Sequence, residues 1–148
     1  MRRMNIKIFD YSVDFLMKSN LLLLSGDSGI GKTVLYRYFY NISNSTDAII
    51  CIDTNVINIL AKKEKKDKSD VVFDLLKNNE NKFIVIDNAD SILDMKSRGF
   101  IGMDEHNEYL IFGRNVTGLF INKNRIAYLK RNDVKKTISL DYKYESLI

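Results

Sequence analysis

The 148 residues are 45% hydrophobic and 28% charged, which predicts one domain over residues 1–148 and excludes wholesale disorder. One cysteine, Cys51, excludes an internal disulfide, and the short apolar runs exclude a membrane span or signal peptide, so we expect a cytoplasmic protein with no membrane partner. The net charge of +4 is small and concentrated in the mixed-sign run 62–68, which is more typical of a solvated surface, so a nucleic-acid partner is only weakly supported.

The first predicted elements are a strand, a helix and a second strand. Residues 5–9 alternate between polar and apolar side chains, as a short strand does. Residues 12–18 are predicted to be helical because Val13, Leu16 and Met17 recur at helical spacing. Residues 21–25 form a continuous apolar run that ends at a glycine, which predicts a strand buried on both faces.

An amphipathic helix is predicted next, over residues 31–41. Its predicted core stripe consists of Val34, Leu35, Tyr38 and Phe39. Tyr36 and Tyr40 are expected on a neighbouring face of the same helix. Residues 48–52 form a second buried strand that ends at Asp53, and residues 56–60 are predicted to be helical.

The remaining predicted elements continue the alternation. They are a helix capped by Ser69 or Asp70, a strand at 82–86, a helix opening at 91–95, a strand at 109–112, apolar segments of ambiguous period at 116–121 and 126–129, and a last strand at 137–140. Alternating strands and helices predict crossover connections and a parallel sheet, whose ligands lie beyond the carboxyl ends of the strands. Polar or glycine residues stand at those ends, namely Gly26, Asp53, Asp87 and Arg114.

One segment matches the pattern G-x-x-x-x-G-K-[ST] at every fixed position. It consists of Gly26, Asp27, Ser28, Gly29, Ile30, Gly31, Lys32 and Thr33. The glycines let successive backbone amides point into one anion-binding concavity, and the following helix adds its N-terminal dipole. Lys32 supplies an ammonium for the β- and γ-phosphates, and Thr33 supplies a hydroxyl for Mg²⁺.

A second motif is the apolar strand that ends at Asp87. A carboxylate at the end of a buried strand is costly unless a cation meets it, and Mg²⁺ held by Thr33 would do so. The two motifs, separated by two crossover units, make a specific pair.

The chain resembles the P-loop NTPases over roughly residues 20–140, with residues 26–33 as the Walker A motif and residues 84–87 as the Walker B strand. The resemblance implies a three-layer α/β sandwich with a mainly parallel sheet. It also implies that ATP and Mg²⁺ are the cofactors, that residues 29–32 bind phosphate, and that Thr33 and Asp87 bind the metal.

Within that superfamily, the chain looks most like a minimal additional-strand ATPase core of the AAA+ or STAND type. In STAND proteins an arginine often closes the strand after Walker B and senses the γ-phosphate, and Arg114 stands at that place, although it could equally be a surface arginine. The guanine motif N-K-x-D is broken, because residues 122–124 are followed by Arg125, which cannot accept hydrogen bonds from guanine. About 35 residues follow Arg114, which leaves no room for a helical lid.

The predicted catalytic residues are Lys32, Asp87, Asp90 and Arg114. Additional-strand ATPases generally place a glutamate after the Walker B aspartate, whereas this chain has Asn88, which can orient water but cannot accept its proton. Asp90 could substitute as the base, or it could cap the helix that follows it.

These residues predict an ATP-binding, Mg²⁺-dependent NTPase with weak hydrolysis that acts with a protein partner or by self-association. The alternatives are a nucleotide-dependent binding module without hydrolysis and a small phosphotransferase.

Four further residues received a structural interpretation as well as a functional one. His106 is not expected to bind zinc because it has no companions at metal-ligand spacing, and Cys51 is expected to be an inert core thiol. Asp53 could face the site or cap the following turn. Arg98 could act in cis or across a subunit interface, but a solvated arginine at a helix end is the favoured interpretation.

Overall fold

The computed structural model describes residues 2–25, 31–114, 116–119 and 125–142. Its elements are β1 (Arg2–Ile8), β2 (Tyr11–Met17), β3 (Leu21–Ser25), α1 (Lys32–Ser43), β4 (Ile49–Ile52), α2 (Thr54–Glu64), α3 (Lys68–Lys77), β5 (Phe83–Ile86), α4 (Ala89–Ile92), α5 (Met95–Met103), β6 (Glu108–Phe112), β7 (Ile126–Asn132) and β8 (Thr137–Tyr142). No helix within these ranges is long and apolar enough to cross a bilayer.

The described strands form a single mixed sheet in the order β1-β2-β8-β7-β3-β6-β5-β4. The strands from β7 to β4 run parallel to one another, as the alternation of strands and helices predicted. The pairs β1–β2 and β7–β8 are antiparallel, whereas β2 and β8 are parallel. The expectation of a mainly parallel sheet is therefore corrected to a mixed sheet. The two antiparallel pairs arise because short turns join strands that are consecutive in the chain.

Helices cover both faces of the sheet, and strand β3 shows how the two faces are filled. Leu22 and Leu24 face a cluster that contains Phe39 of α1, whereas Leu21 and Leu23 face the opposite cluster. That opposite cluster is supplied by α2, α3 and α5. Successive side chains of a strand point to opposite faces, so a continuous apolar run is what a sheet covered on both sides requires.

Residues 12–18 form a strand, and the prediction of a helix there is wrong. In β2, Val13, Phe15 and Met17 are buried at every second position, while the residues between them are more exposed. Val13 and Met17 fit a helical spacing and an alternating one equally well, since they are four residues apart. The extended conformation is favoured over the helix because the backbone of β2 pairs with β1 on one side and with β8 on the other.

The other predicted helices exist, with three differences in detail. In α1, Tyr36 is buried and Val34 is 39% exposed, so the core stripe is rotated from the predicted one. Helix α3 follows Asp67, one turn earlier than the predicted caps. The predicted helix at 91–95 is divided into α4 and α5, and the Asp94 side chain caps α5 by accepting from the Ser97 amide. Residues 116–119 are neither helix nor strand, and residues 120–121 lie outside the described ranges.

Candidate active site

The carboxyl ends of four parallel strands lie at one edge of the sheet. Strand β3 leads there into the predicted phosphate-binding loop, of which residues 26–30 lie outside the described ranges. Gly31 is described and precedes α1 with a φ of 109°, a left-handed conformation that glycine adopts without steric cost. Strands β4 and β5 end next to Asp53 and Asp87, and β6 ends next to Gly113. The local order of the sequence therefore places these polar residues at one edge.

A cavity of about 340 Å³ at this edge gathers the described residues that were predicted to be catalytic or to bind metal. It is lined by Lys32, Thr33, Asp87, Asn88, Asp90, Phe112, Gly113 and Arg114. Lys32 and Thr33 come from the first turn of α1, whereas the others follow β5 or end β6. A cation, a hydroxyl and carboxylates thus converge beside a helix N-terminus, which is an arrangement that suits a phosphate group with a divalent metal.

Asp87 is placed as a metal-binding carboxylate would be. Its Oδ1 accepts a hydrogen bond of 2.9 Å from the Asn88 amide, and no other hydrogen bond to its carboxylate is present within the described residues. The pKa of Asp87 is raised from its ordinary value, chiefly by burial and further by the charge of Asp53, while the Asn88 amide and Lys32 oppose the rise. A desolvated carboxylate next to a second carboxylate favours a nearby cation, so these residues fit Mg²⁺.

Replacing Asp87 with asparagine should stabilise the metal-free protein at neutral pH. The raised folded-state pKa means that ionised Asp87 costs stability above that pKa, whereas asparagine mimics the protonated form and keeps an oxygen for the Asn88 amide. The gain in unfolding free energy should be present at pH 7 and should vanish as the pH falls below the carboxyl pKa values. Thermal melts across pH measure this gain, with Asp141→Asn at an exposed position of β8 as the control. A loss of stability at pH 7 would contradict the interpretation.

Asp90 holds the end of β6 rather than capping a helix. Its Oδ2 accepts a hydrogen bond of 2.8 Å from the Arg114 backbone amide. The residue at the N-cap position of α4 is Asn88, which is left-handed with a φ of 54°, so the interpretation of Asp90 as the cap is wrong. Gly113 makes this approach feasible, since a Cβ there would stand 2.5 Å from Val116 Cγ2 and 3.3 Å from Asp90 Oδ2.

Arg98 is partly buried and supports the segment that carries Asp90. Its Nε donates to the Leu93 carbonyl at 2.8 Å, and a terminal nitrogen donates to the Asp90 carbonyl at 3.1 Å. The interpretation of Arg98 as a solvated arginine at a helix end is therefore wrong. It positions the turn between β5 and α5.

Asp53 both caps a helix and lines the site, so the two interpretations of this residue hold together. Its Oδ1 accepts from the Val56 amide at 2.8 Å, which caps α2. Its Oδ2 accepts from the Tyr36 hydroxyl at 2.8 Å. Burial, followed by this hydrogen bond, raises the pKa of Tyr36 far above its ordinary value, so the phenol stays protonated and donates.

A wider cavity of about 670 Å³ adjoins the first and shares Thr33, Asp87 and Asn88 with it. Its other lining residues are Tyr36, Arg37, Tyr40, Asn41, Asp53, Thr54, Asn55, Val56 and Ile59. Sequence analysis did not assign Arg37, Asn41 or Asn55 to a site. The signal was available for Arg37 and Asn41 of α1, because residues four and eight positions after Thr33 share its helix face.

Three other residues considered in the sequence analysis, Arg125, Cys51 and His106, are not part of this site. Arg125 donates to Ser19 and Asn20 just before β3 begins, at the opposite edge of the sheet, and residues 122–124 lie outside the described ranges. Cys51 is buried, and burial raises the pKa of its thiol to about 11. His106 is exposed, and the described residues include no group of three or more histidine, cysteine, aspartate or glutamate side chains placed to hold a metal ion.

The sequence model of the AAA family, described as the ATPase family associated with various cellular activities, matches residues 22–110. The chain belongs to this family. The match runs from β3 into β6 and confirms the prediction of a nucleotide-binding P-loop NTPase with an α/β fold. Comparisons with curated proteins and with solved structures find no significant match.

One strand separates the two strands that carry the predicted motifs. Strand β6 lies between β3, which leads into the predicted phosphate loop, and β5, which ends at Asp87. The strands β1, β2, β7 and β8 lie outside the matched residues and extend the sheet beyond β3.

Proposed function

We propose that the protein is an ATP-binding, Mg²⁺-dependent P-loop NTPase with weak intrinsic hydrolysis. The observation that carries this proposal is the cavity in which Lys32, Thr33 and Asp87 meet beside Asn88. Family membership supports nucleotide binding, and the convergence of these side chains supports the assignment of this edge as the site.

Each residue has a role that its position allows. The amides of residues 26–32 and the Lys32 ammonium would bind the phosphates, and Thr33 and Asp87 would hold Mg²⁺. When bound, Mg²⁺ supplies neutralisation of charge on the β- and γ-phosphates. Arg114, whose backbone Asp90 fixes, would place its guanidinium near the γ-phosphate.

Weak hydrolysis follows from the groups available to activate water. Asn88 is exposed beside Asp87, and its amide cannot take a proton at neutral pH. Asp90 is the next carboxylate along the chain after Asp87, but one of its oxygens already accepts a hydrogen bond from the Arg114 amide. A water molecule at this site would be oriented but poorly deprotonated, so the barrier to in-line attack stays high.

A single-turnover assay separates this proposal from a binding module that does not hydrolyse ATP. Excess protein is mixed with radiolabelled ATP and Mg²⁺, and released phosphate is followed for hours. Slow, complete conversion of ATP supports the NTPase, whereas bound ATP that stays intact supports the binding module. The absence of a glutamate at position 88 favours the binding module.

The wider cavity favours phosphotransfer as a second candidate function. It opens directly from Thr33 and Asp87 and offers Arg37 together with the amides of Asn41 and Asn55 to an acceptor. Transfer of the γ-phosphoryl group to a small acceptor would then compete with attack by water. Incubation with labelled ATP and a panel of nucleosides and small alcohols tests this function through the appearance of a phosphorylated acceptor.

We expect the site to prefer adenine over guanine nucleotides. The broken guanine motif ends at Arg125, which contacts Ser19 and Asn20 at the opposite edge of the sheet, so it offers no acceptor to a guanine base. In competition against fluorescent ATP, unlabelled ATP should displace the probe at lower concentration than GTP, with CTP as a control. Displacement by GTP at an equal or lower concentration would count against this assignment.

Three further features are part of the proposal. The chain is organised as one domain over residues 1–148, it is a minimal STAND-like core, and it acts with a protein partner or by self-association.

A further inference from the structure

Two neighbouring hairpin tips each expose a large apolar side chain. Phe9, at the turn between β1 and β2, is 89% exposed, and Val134, at the turn between β7 and β8, is 93% exposed. Phe9 also has a φ of 55°, a left-handed conformation that is costly for a bulky residue. We name residues 7–12 together with residues 130–137 the hairpin-tip surface.

Several contacts fasten the two tips to each other. The Tyr11 hydroxyl donates to Asp133 Oδ1 at 2.6 Å, and the Ser12 amide donates to the Lys136 carbonyl at 2.9 Å. Within the second turn, Asn132 Oδ1 accepts from the Val134 and Lys135 amides. These hydrogen bonds therefore connect the two hairpins that carry the exposed apolar side chains.

The hairpin-tip surface is strongly basic. It has five basic and two acidic side chains, which are Lys7, Lys130, Arg131, Lys135 and Lys136 against Asp10 and Asp133. Both carboxylates are engaged within the surface, Asp133 by Tyr11 and Arg131, and Asp10 by Lys136 at 3.8 Å. Its net charge of +3 suits a polyanion.

The cations also extend away from the tip along one face of the sheet. The pairing register places Lys7 opposite Ser12, Ser12 opposite Thr137, and Thr137 opposite Asn132. Lys130 lies two residues before Asn132 and therefore points to the same face as Lys7. Both lysines are exposed, and neither forms an ion pair among the described residues.

The surface lies on the side of the molecule that carries the candidate active site. Tyr128 of β7 pairs with Ser25, the last residue of β3, and β7 continues for four more residues to Asn132. The hairpin therefore extends about 13 Å beyond the end of β3. At the base of this hairpin, Ile138 Cδ1 lies 3.8 Å from where a Cβ on Gly31 would stand.

We propose that the hairpin-tip surface binds single-stranded nucleic acid, with a base stacked on Phe9 and phosphates on the lysines. An aromatic ring flanked by cations is the combination that binds unpaired bases with their backbone. A flexible polyanion can follow the cations from the tip to Lys7 and Lys130 on the sheet face, whereas a flat anionic membrane would meet only the tip. This interaction does not depend on ATP, so its test stands apart from the proposed nucleotide site.

The test measures fluorescence anisotropy of a labelled single-stranded oligothymidylate of about twenty nucleotides, without ATP. Phe9→Ala should weaken binding about 5- to 150-fold, the range expected for loss of one stacked base. Lys135→Gln should reduce the slope of log affinity against log salt by about 0.7, the value for one lost phosphate contact. Met103→Ala removes a side chain that is 77% exposed on α5 and should leave affinity unchanged.

Three results would overturn the proposal. They are no binding of the oligonucleotide by the unaltered protein, equal weakening by Met103→Ala and Phe9→Ala, and duplex affinity that matches single-strand affinity in every variant. Sedimentation with phosphatidylserine vesicles tests the alternative that this surface binds an anionic membrane. Binding to vesicles without binding to the oligonucleotide would support the membrane alternative and overturn the proposal. Equal melting temperatures for Phe9→Ala and the unaltered protein would show that the change acts on binding.

Discussion

Lys32→Ala should abolish detectable ATP binding while the fold survives. Lys32 is the first residue of α1 and lines the cavity that also contains Thr33 and Asp87. A hydrogen bond to a charged group contributes about 1.5–3 kcal/mol, and Lys32 is expected to contact both the β- and γ-phosphates. Loss of two such contacts corresponds to roughly 10²- to 10⁴-fold weaker binding.

Calorimetric titration with ATP and Mg²⁺ measures this effect directly. Lys63 is an exposed residue of α2 that lines neither cavity. Lys63→Ala removes the same charge as Lys32→Ala and should leave the ATP affinity unchanged. Circular dichroism and thermal melts should match for both variants and the unaltered protein. ATP affinity that persists in a folded Lys32→Ala variant would place the nucleotide elsewhere on the molecule.

The central strands could be predicted from the sequence because their signal is local. Strands β3, β5 and β6 are short apolar runs buried on both faces, and each is followed by a glycine or a polar residue. Since parallel strands end at the same edge, the convergence of Lys32, Thr33 and Asp87 could be predicted as well. Periodicity and the order of elements predicted where these residues lie, and the G-x-x-x-x-G-K-[ST] motif predicted which of them bind phosphate and metal.

The outer half of the sheet could not be predicted in the same way. Strand β2 pairs with the neighbouring strand β1, but its other partner β8 begins 120 residues after β2 ends, so one of the two pairings that favour a strand here is invisible to a local pattern. The burial of Tyr36 was missed for a similar reason. Its hydroxyl is satisfied by Asp53, which caps a different helix, and a pattern of apolar residues does not reveal such a partner.

The second large effect concerns position 88, where the structure explains why a glutamate is absent. Asn88 adopts a left-handed conformation with a φ of 54°, and asparagine tolerates that conformation better than most residues. The site therefore has an amide where a general base is expected. A general base contributes about 10²- to 10⁴-fold, so from a median turnover of about 10 per second the protein should hydrolyse between about six ATP per minute and about one ATP every 17 minutes.

Asn88→Glu should raise single-turnover hydrolysis on the order of 10²-fold, the low end of a general base's contribution. Asn88→Gln is the matched control, because glutamine has the same length and backbone penalty but cannot accept a proton. The glutamate variant should also acquire a rate that rises with pH through the carboxyl pKa, and the glutamine variant should not. Equal rates in the two variants would show that the gain is steric.

The opposite result would identify a different base. Unaltered protein that turns over ATP many times per second without a partner would exclude the weak-hydrolysis proposal and point to Asp90. In that case Asp90→Asn should abolish turnover while leaving ATP affinity intact, because an amide oxygen can still accept from the Arg114 backbone. If Asp90→Asn instead weakened ATP binding with turnover per bound nucleotide unchanged, Asp90 would be a positioning residue for Arg114, which is the role that its hydrogen bond already supports.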